Sequence, residues 1–426
     1  MDVEALRKKL SEISRAIEEQ EMSLQDLHKQ RSTVRNDLNS LRDPVTRLPL
    51  ELSSNIFVAC LPDIPTLKPP TPTAPAIFLC ISRSWRTIAL STSSLWTSIS
   101  DEHVPSSWFV NNFQKWSARS RDLPLSISLK FPLPGHEAES LRLVKQHAHR
   151  VRDLELFVLR GGDSLVQITA PFTMLKTLTL EDSFPSRNLN GMDECVELLR
   201  SAPRLEECIF RGIWYATAFT RTPFIHQSLR HLCFAPIVNS SRHYNSTMAI
   251  LHRLTLPALR SLAISELNIT SAEFASFLAR SSSSLQTLAI RVSTTVQLEE
   301  TELYLQLTPT LVDLTIRDES GGAGKFLKIL AIRSDLLPNL QHLTLKSQFN
   351  FYNADHDTRM AVVDLLTDRR ASLRSFRLIS DGINWIPADI VNVARQLSAE
   401  AGMEIQIGSQ TFSGIPTAGS AFSRPI

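Results

Sequence analysis

The sequence is short of cysteine, of net charge and of long apolar runs, and each shortage removes a class of protein. Its five cysteines, Cys60, Cys80, Cys195, Cys208 and Cys233, are odd in number and never form a Cys-x-x-Cys pair. That argues against a disulfide framework and against a structural zinc site. The 45 lysines and arginines against 43 aspartates and glutamates leave a formal charge of +2, so no general attraction to nucleic acid or to an anionic membrane is expected. No uncharged apolar stretch reaches the ~18 residues of a membrane span. The start, Met1-Asp2-Val3-Glu4, opens a charged helix instead of the basic and then apolar run of a signal peptide. The 426 residues, 43% hydrophobic and 21% charged, suffice for a sizeable core in two or three domains. The expectation is a soluble protein of a reducing compartment, cytoplasmic or nuclear.

Catalytic constellations are also missing. Gly321-Gly322-Ala323-Gly324-Lys325 imitates a phosphate loop, but Glu319 stands where the first glycine belongs and Phe326 replaces the serine or threonine; a flexible surface turn is expected there. His136-Glu137 starts a zincin-like pattern, with Ser140 in place of the second histidine, and His147 and His149 are two apart, so on a helix they diverge. Glu206-Glu207 and Glu299-Glu300 read as solvated faces, and there is no Gly-x-Ser-x-Gly elbow. No catalytic residue, no metal site and no cofactor is expected.

What the sequence does contain begins with a heptad. One column is Val3, Leu10, Ile17, Leu24, Arg31 and Leu38; the other is Leu6, Ile13, Gln20, Leu27, Val34 and Leu41. The period of 3.5 is that of a coiled-coil seam, and Asp43-Pro44 ends the helix because proline pushes its predecessor out of the helical region. The flanking pairs Lys9 with Ser14, Ala16 with Glu21, Ser23 with His28 and Gln30 with Arg35 offer no opposite charges to fix a parallel homodimer. Residues 3–41 therefore read as a self-associating helix with Arg31 and Gln20 as polar interruptions, or else as an amphipathic helix lying on its own domain.

After Pro44 come Leu48-Pro49-Leu50-Glu51-Leu52, Ile56-Phe57 and Cys60-Leu61-Pro62. Leu52, Ile56 and Cys60 step by four, with Leu48 and Phe57 widening that apolar face. A second helix is predicted from Ala76 to about Ala89, with Ile77, Ile81, Trp85 and Ile88 on one stripe, before Ser91-Thr92-Ser93-Ser94-Leu95-Trp96 closes the segment. Periodicity alone gives a small helical domain. The motifs Leu-Pro-x-Glu-Leu, Ile-Phe, Cys-Leu-Pro, Ser-Arg-Ser-Trp-Arg-x-Ile-Ala and Leu-Trp, in this order, resemble the F-box, in the variant abundant in mushroom-forming fungi. Between its outer helices, residues 63–75 carry Pro65, Pro69, Pro70, Pro72 and Pro75, where the family usually has an acidic linker and a middle helix. The resemblance implies docking to the Skp-type adaptor of a cullin–RING ubiquitin ligase, with Leu48, Pro49, Ile56, Phe57, Ile81 and Trp85 facing the adaptor or supporting the face that does.

Trp108, Phe109, Phe113 and Trp116 then suggest an amphipathic helix, and Leu125, Ile127 and Leu129 alternate as in a strand. Downstream a frame of apolar-x-x-apolar-x-apolar begins at Val151, Leu175, Leu205, Leu229, Leu259, Leu285, Leu311, Leu340 and Leu373, at spacings of 24 to 33 residues. The frame alone is cheap. It gains weight from leucine at the first position, from proline two residues before Leu205, Leu259, Leu311 and Leu340, and from helical patterns in the gaps. Those patterns are Met192, Cys195, Val196 and Leu199, then Phe274, Phe277 and Leu278, then Ile390, Val393, Ala394 and Leu397. Strand and helix alternating at this period resemble a leucine-rich repeat. Ser183, Ser293 and Gln348 occupy positions where the repeat expects asparagine or cysteine, so an irregular solenoid is predicted.

The fold expected is α/β: a coiled-coil helix (1–43), an all-α F-box (44–100), a connector capping the repeats (101–150), a leucine-rich-repeat-like horseshoe (151–408) and a flexible tail (409–426). The function expected is that of a non-catalytic substrate receptor presenting an unknown protein to the ligase; the alternative is a ligase-independent scaffold of coiled coil and repeats. On the strand face opposite the apolar anchors, charge changes sign. Asp153, Glu155, Glu181 and Glu207 come early, and Arg291, Arg317, Lys346 and Arg377 late, with Asp313 as the exception. The basic four are the candidate substrate site, for an acidic or phosphorylated segment.

Overall fold

The computed structural model describes residues 3–61, 74–100, 106–130, 137–158, 170–182, 191–211, 223–235, 251–264, 270–281, 284–292, 295–319, 321–333, 335–347, 351, 356–380 and 385–412. The chain divides into two compact units, Met1–Leu125 and Ser126–Ile426.

The first unit opens with α1 (Val3–Arg42), a run without proline or glycine. It stops where Asp43 caps a single 3-10 turn, Pro44–Arg47, accepting from the Val45 amide at 3.0 Å. Pro49 is the cap residue of α2 (Leu50–Ala59), as its fixed φ allows. The predicted helix from Ala76 to Ala89 is two helices, α3 (Phe78–Ile81) and α4 (Arg83–Ser91). Ser82 breaks them: its backbone is extended (φ −150°, ψ 170°) and its hydroxyl accepts from the Trp85 amide at 3.2 Å, a serine N-cap. Across the break Ile77 and Ile81 are exposed, while Trp85 is half-buried against Phe57 and Phe78. The buried face of α2 also differs from the predicted one. Ser53 and Phe57 point inward, while Leu52, Ile56 and Cys60 are exposed.

The core of this unit is aromatic. Phe57 stacks on Phe78 at 4.5 Å and lies 4.8 Å from Trp85. Trp96 is fully buried and its indole N–H donates to the Ala89 carbonyl at 2.8 Å, which meets the need of a buried indole for a partner. The helix α5 (Ser106–Arg119) buries Phe109, Phe113 and Trp116 as its pattern predicts, with Trp116 edge-on to Trp96 at 4.9 Å. The side chain of Trp108 and the proline-rich residues 62–73, where the middle helix was in question, lie outside the described residues.

The second unit is a large, mostly parallel sheet alternating with helices. Every predicted frame supplies a strand: β1 (Val151–Val158), β2 (Thr177–Asp182), β3 (Glu207–Arg211), β4 (His231–Ala235), β5 (Ser261–Ile264), β6 (Thr287–Val292), β7 (Asp313–Asp318), β8 (His342–Ser347) and β9 (Ser375–Ile379). They lie side by side in this order, each parallel to the next. In eight of the nine frames a buried leucine opens the frame two residues before the strand; in the first, buried Val151 begins the strand itself. The predicted strand Leu125–Lys130 lies on the outer side of β1 and alternates between buried and half-buried. At the other end the sheet continues past the last frame. Gly402, in the left-handed region (φ 65°), ends the helix Ala388–Ala401, and Glu404–Ile407 adds a parallel strand. Gln410–Phe412 then pairs antiparallel with it, so the expected tail begins inside the sheet; residues 413–426 lie outside the described ones.

Helices fill the gaps at Gly191–Ser201, Ser271–Ser281, Thr295–Gln306, Ala323–Ile332 and His356–Asp368. Phe224–Ile225 pairs with Leu254–Thr255 in a separate two-stranded sheet. The turns between repeats are joined by a varied set of side chains. Each of Thr173, His226, Thr310 and Asn339 bonds a backbone carbonyl of the preceding repeat, at His149, Ala202, Leu285 and Pro309 respectively. Buried carbonyls need a partner, and here several residue types share the task.

Candidate interaction sites

Two surfaces contain the residues singled out by sequence. On the first unit, Leu48, Pro49, Ile56 and Ile81 are exposed, along with Leu50, Leu52 and Ile77. Phe57 is fully buried and Trp85 half-buried. Those two form, with Phe78, the aromatic floor beneath the exposed residues and do not themselves present a surface. A side-chain lattice holds the helices in place. The Ser82 hydroxyl donates to Asp43 at 3.3 Å, the Ser53 hydroxyl to the Val45 carbonyl at 3.2 Å, and Ser54 and Thr92 share a hydrogen bond of 2.8 Å. Exposed leucine and isoleucine on so small a module make this face a candidate interaction surface.

On the second unit, Arg291, Arg317 and Lys346 are direct cross-strand partners on β6, β7 and β8. Adjacent strands lie ~4.8 Å apart, so three cationic side chains rise in one row. Arg377 does not extend that row. It pairs across to Thr344, two residues before Lys346, and the neighbour of Lys346 is Ile379. Arg377 is held by Glu404 at 2.8 Å and Arg291 by Glu319 at 2.6 Å. Arg317 and Lys346 make no ion pair with any described residue. Beside them the row below is small: Ala263, Ala289 and Thr315 are consecutive cross-strand partners. The short side chains leave a shallow hollow of about 60 Å³, open to solvent, lined also by Phe234, Ile264 and Ile290.

Three of the four early acids are engaged locally. Asp153 accepts from Ser126 at 2.6 Å and from Thr177, Glu155 accepts from Ser128 at 2.8 Å, and Glu181 pairs with Arg211 at 3.6 Å. Arg211 interrupts the acidic run in the same row as Glu181, a basic residue the sequence reading passed over. The exception, Asp313, is pushed up from the ordinary carboxyl range by burial, against the pull of His342 and Arg377.

The glycine-rich Gly321–Lys325 segment is not a flexible turn. Gly322 caps the helix Ala323–Ile332, and the Asp318 carboxylate accepts from the Ala323 amide at 2.7 Å. A carboxylate already fills the place a phosphate would take at that N-terminus. A Cβ on Gly324 would stand 3.0 Å from Thr358 Cγ2, so the glycine serves close helix packing. His147 and His149 do not diverge: they lie in a turn with rings stacked at 6.4 Å. Among the described residues no three of His, Cys, Asp and Glu are grouped to hold a metal ion, and no helix is long and apolar enough to cross a membrane. No known family model matches the chain, and no curated protein matches it.

Proposed function

We propose that the chain is a non-catalytic F-box substrate receptor of a cullin–RING ubiquitin ligase. The first unit docks to the Skp-type adaptor; the second, a leucine-rich-repeat-like solenoid, holds a protein target for ubiquitin transfer. The observation that carries this reading is the exposed set Leu48, Leu52, Ile56 and Ile81 on a helical module with its own aromatic core. An adaptor covering that face gains ~25 cal/mol per Å² of apolar area removed from water. The target site is the strand face around Arg317 and Lys346. An acidic or phosphorylated side chain answers the two cations through charge-assisted hydrogen bonds, and a small apolar neighbour fits the Ala263–Ala289 floor.

The test is capture of purified Skp-type adaptor by the full chain. Binding that the pair Ile56→Asp and Ile81→Asp weakens at least thirtyfold, the scale of losing a hot spot, supports the reading. Failure of the unaltered chain to bind the adaptor overturns it. The exposed stripe of α1 favours a second reading, a ligase-independent scaffold, which would still assemble partners when adaptor binding is absent.

A further inference from the structure

The seam of α1 is bare along its length. Val3, Leu6, Leu10, Ile13, Ile17, Leu24, Leu27, Val34 and Leu38 are each 47 to 67% exposed, and a long apolar stripe of this kind, interrupted at Gln20 and Arg31, is a surface awaiting a partner. The sequence of that stripe selects the partner. In an antiparallel pair, residues of one seam column face the other column of the second copy. If Leu24 faces Leu27, then Ile17 faces Val34, Ile13 faces Leu38, and Gln20 faces Arg31, each pairing occurring twice by symmetry. The two polar residues of the seam thus meet only each other. Moving the register by one heptad sets Arg31 against Leu27 or Ile13, and Gln20 against Leu38 or Leu24, leaving four polar groups against hydrocarbon. A parallel, in-register pair sets Arg31 against its own copy, two like charges in the seam, with no flanking charge pair to compensate.

We infer that the partner of α1 is a second copy of this chain, bound antiparallel with Gln20 opposite Arg31. A single polar layer fixing register and orientation at some cost in stability is an established use of such positions. At ~1.5 Å per residue, the Arg42 ends of the two helices stand ~50 Å apart, where a parallel pair would set them side by side. The two copies of the first unit's docking face are therefore carried to opposite ends of one rod. The inference rests on α1 alone, so it stands or falls independently of the adaptor reading.

The sign of one substitution decides it. Gln20→Glu creates two Arg–carboxylate layers in the antiparallel pair but sets two carboxylates against each other in a parallel one. In sedimentation equilibrium of the full chain, the antiparallel dimer predicts dimerisation tightened about fivefold by Gln20→Glu, the scale of two modest ion pairs. Weakened dimerisation, or a chain that stays monomeric at tens of micromolar, overturns the inference. Crosslinking gives a second readout in a Cys60→Ser, Cys80→Ser background, which removes the exposed thiols. A mixture of Gln20→Cys and Arg31→Cys chains should form the mixed disulfide, while Gln20→Cys alone should not, its two sites being ~16 Å apart along the axis. Ready homodisulfide formation by Gln20→Cys alone overturns the antiparallel arrangement.

Discussion

The ring of Phe57 sits 4.8 Å from the indole of Trp85, tilted by 33°. That contact divides the candidate docking residues into two kinds. Phe57 is fully buried, whereas Ile56 and Ile81 are 45 and 49% exposed, so stability and binding should separate by mutation. Phe57→Ala should cost ~3–5 kcal/mol of the first unit's stability, the range for a buried phenylalanine. Ile56→Ala and Ile81→Ala should stay within about 1 kcal/mol and yet weaken adaptor binding. Denaturant unfolding followed by tryptophan fluorescence, beside adaptor titration, checks both; equal destabilisation by Phe57→Ala and Ile56→Ala would contradict the division.

The same pair shows where sequence reading reaches its limit. Periodicity placed Ile77, Ile81 and Trp85 on one stripe, because a step of four is all that a helical pattern can register. A single serine cap at Ser82 restarts the helix, and Trp85 packs half-buried against Phe57 and Phe78. The repeats were legible for the opposite reason. Leucines such as Leu205, Leu311 and Leu340 are buried in every frame, and burial at a fixed period is what an apolar pattern records. The strand Glu404–Ile407 was missed although Gly402 and the alternation of Met403, Ile405 and Ile407 announce it. Which basic side chains are neutralised was not legible at all, since Glu319 and Glu404 approach Arg291 and Arg377 only through the fold.

Arg369 makes a second prediction. It is buried, and its guanidinium donates to the carbonyls of Leu330, Arg333, Leu336 and Leu337, at 3.4, 3.0, 2.6 and 3.1 Å. It therefore closes the C-terminal end of the helix Ala323–Ile332 and the turn after it, where Leu337 takes a left-handed conformation (φ 57°). Arg369→Met keeps most of the stem but removes all four bonds; the Arg333 and Leu337 carbonyls keep the Leu336 and Leu340 amides as donors, so the loss falls on Leu330 and Leu336 and should cost ~2–3 kcal/mol. Arg369→Lys, with fewer donors and a different shape, should fall between. Urea unfolding midpoints of the full chain test the order.

His226 gives the stability of the repeats a pH dependence. Its ring is buried; the hydrogen bonds assign Nε2–H as donor to the Ala202 carbonyl at 3.0 Å and Nδ1 as acceptor from the Leu229 amide at 3.2 Å. Protonation would put a second N–H against an N–H donor, and burial holds the folded-state pKa below the ordinary 6.5. The unfolded chain then takes up a proton first as pH falls. The contribution is fully present above pH 6.5 and is lost below it, by at most ~1.4 kcal/mol per pH unit. His147, lowered mainly by burial, acts in the same direction. His226→Gln should lower stability at pH 7.5 and flatten its fall between pH 6.5 and 5; an unchanged slope would remove His226 as a cause.

The last prediction concerns which cations hold the target. Sequence alone gives Arg291, Arg317, Lys346 and Arg377 equal standing. In the structure Arg291 and Arg377 already satisfy Glu319 and Glu404, so a ligand anion must compete with a neighbouring carboxylate for either. Arg317 and Lys346 stand in register on adjacent strands, beside the hollow floored by Ala263 and Ala289. Charge reversal should follow that distinction. Arg317→Glu and Lys346→Glu should each release captured targets at least tenfold, the loss of one charge-assisted hydrogen bond of ~1.5–3 kcal/mol. Added salt should mimic the effect in the unaltered protein. Arg377→Glu should release less, because it sits two residues off the row and its main effect is to set two carboxylates side by side with Glu404. The measurement is quantitative recovery of proteins bound to the full chain with the proteasome blocked, compared across these variants. Targets that persist through the Arg317→Glu, Lys346→Glu double reversal, while adaptor binding is intact, would place recognition on some other part of the chain.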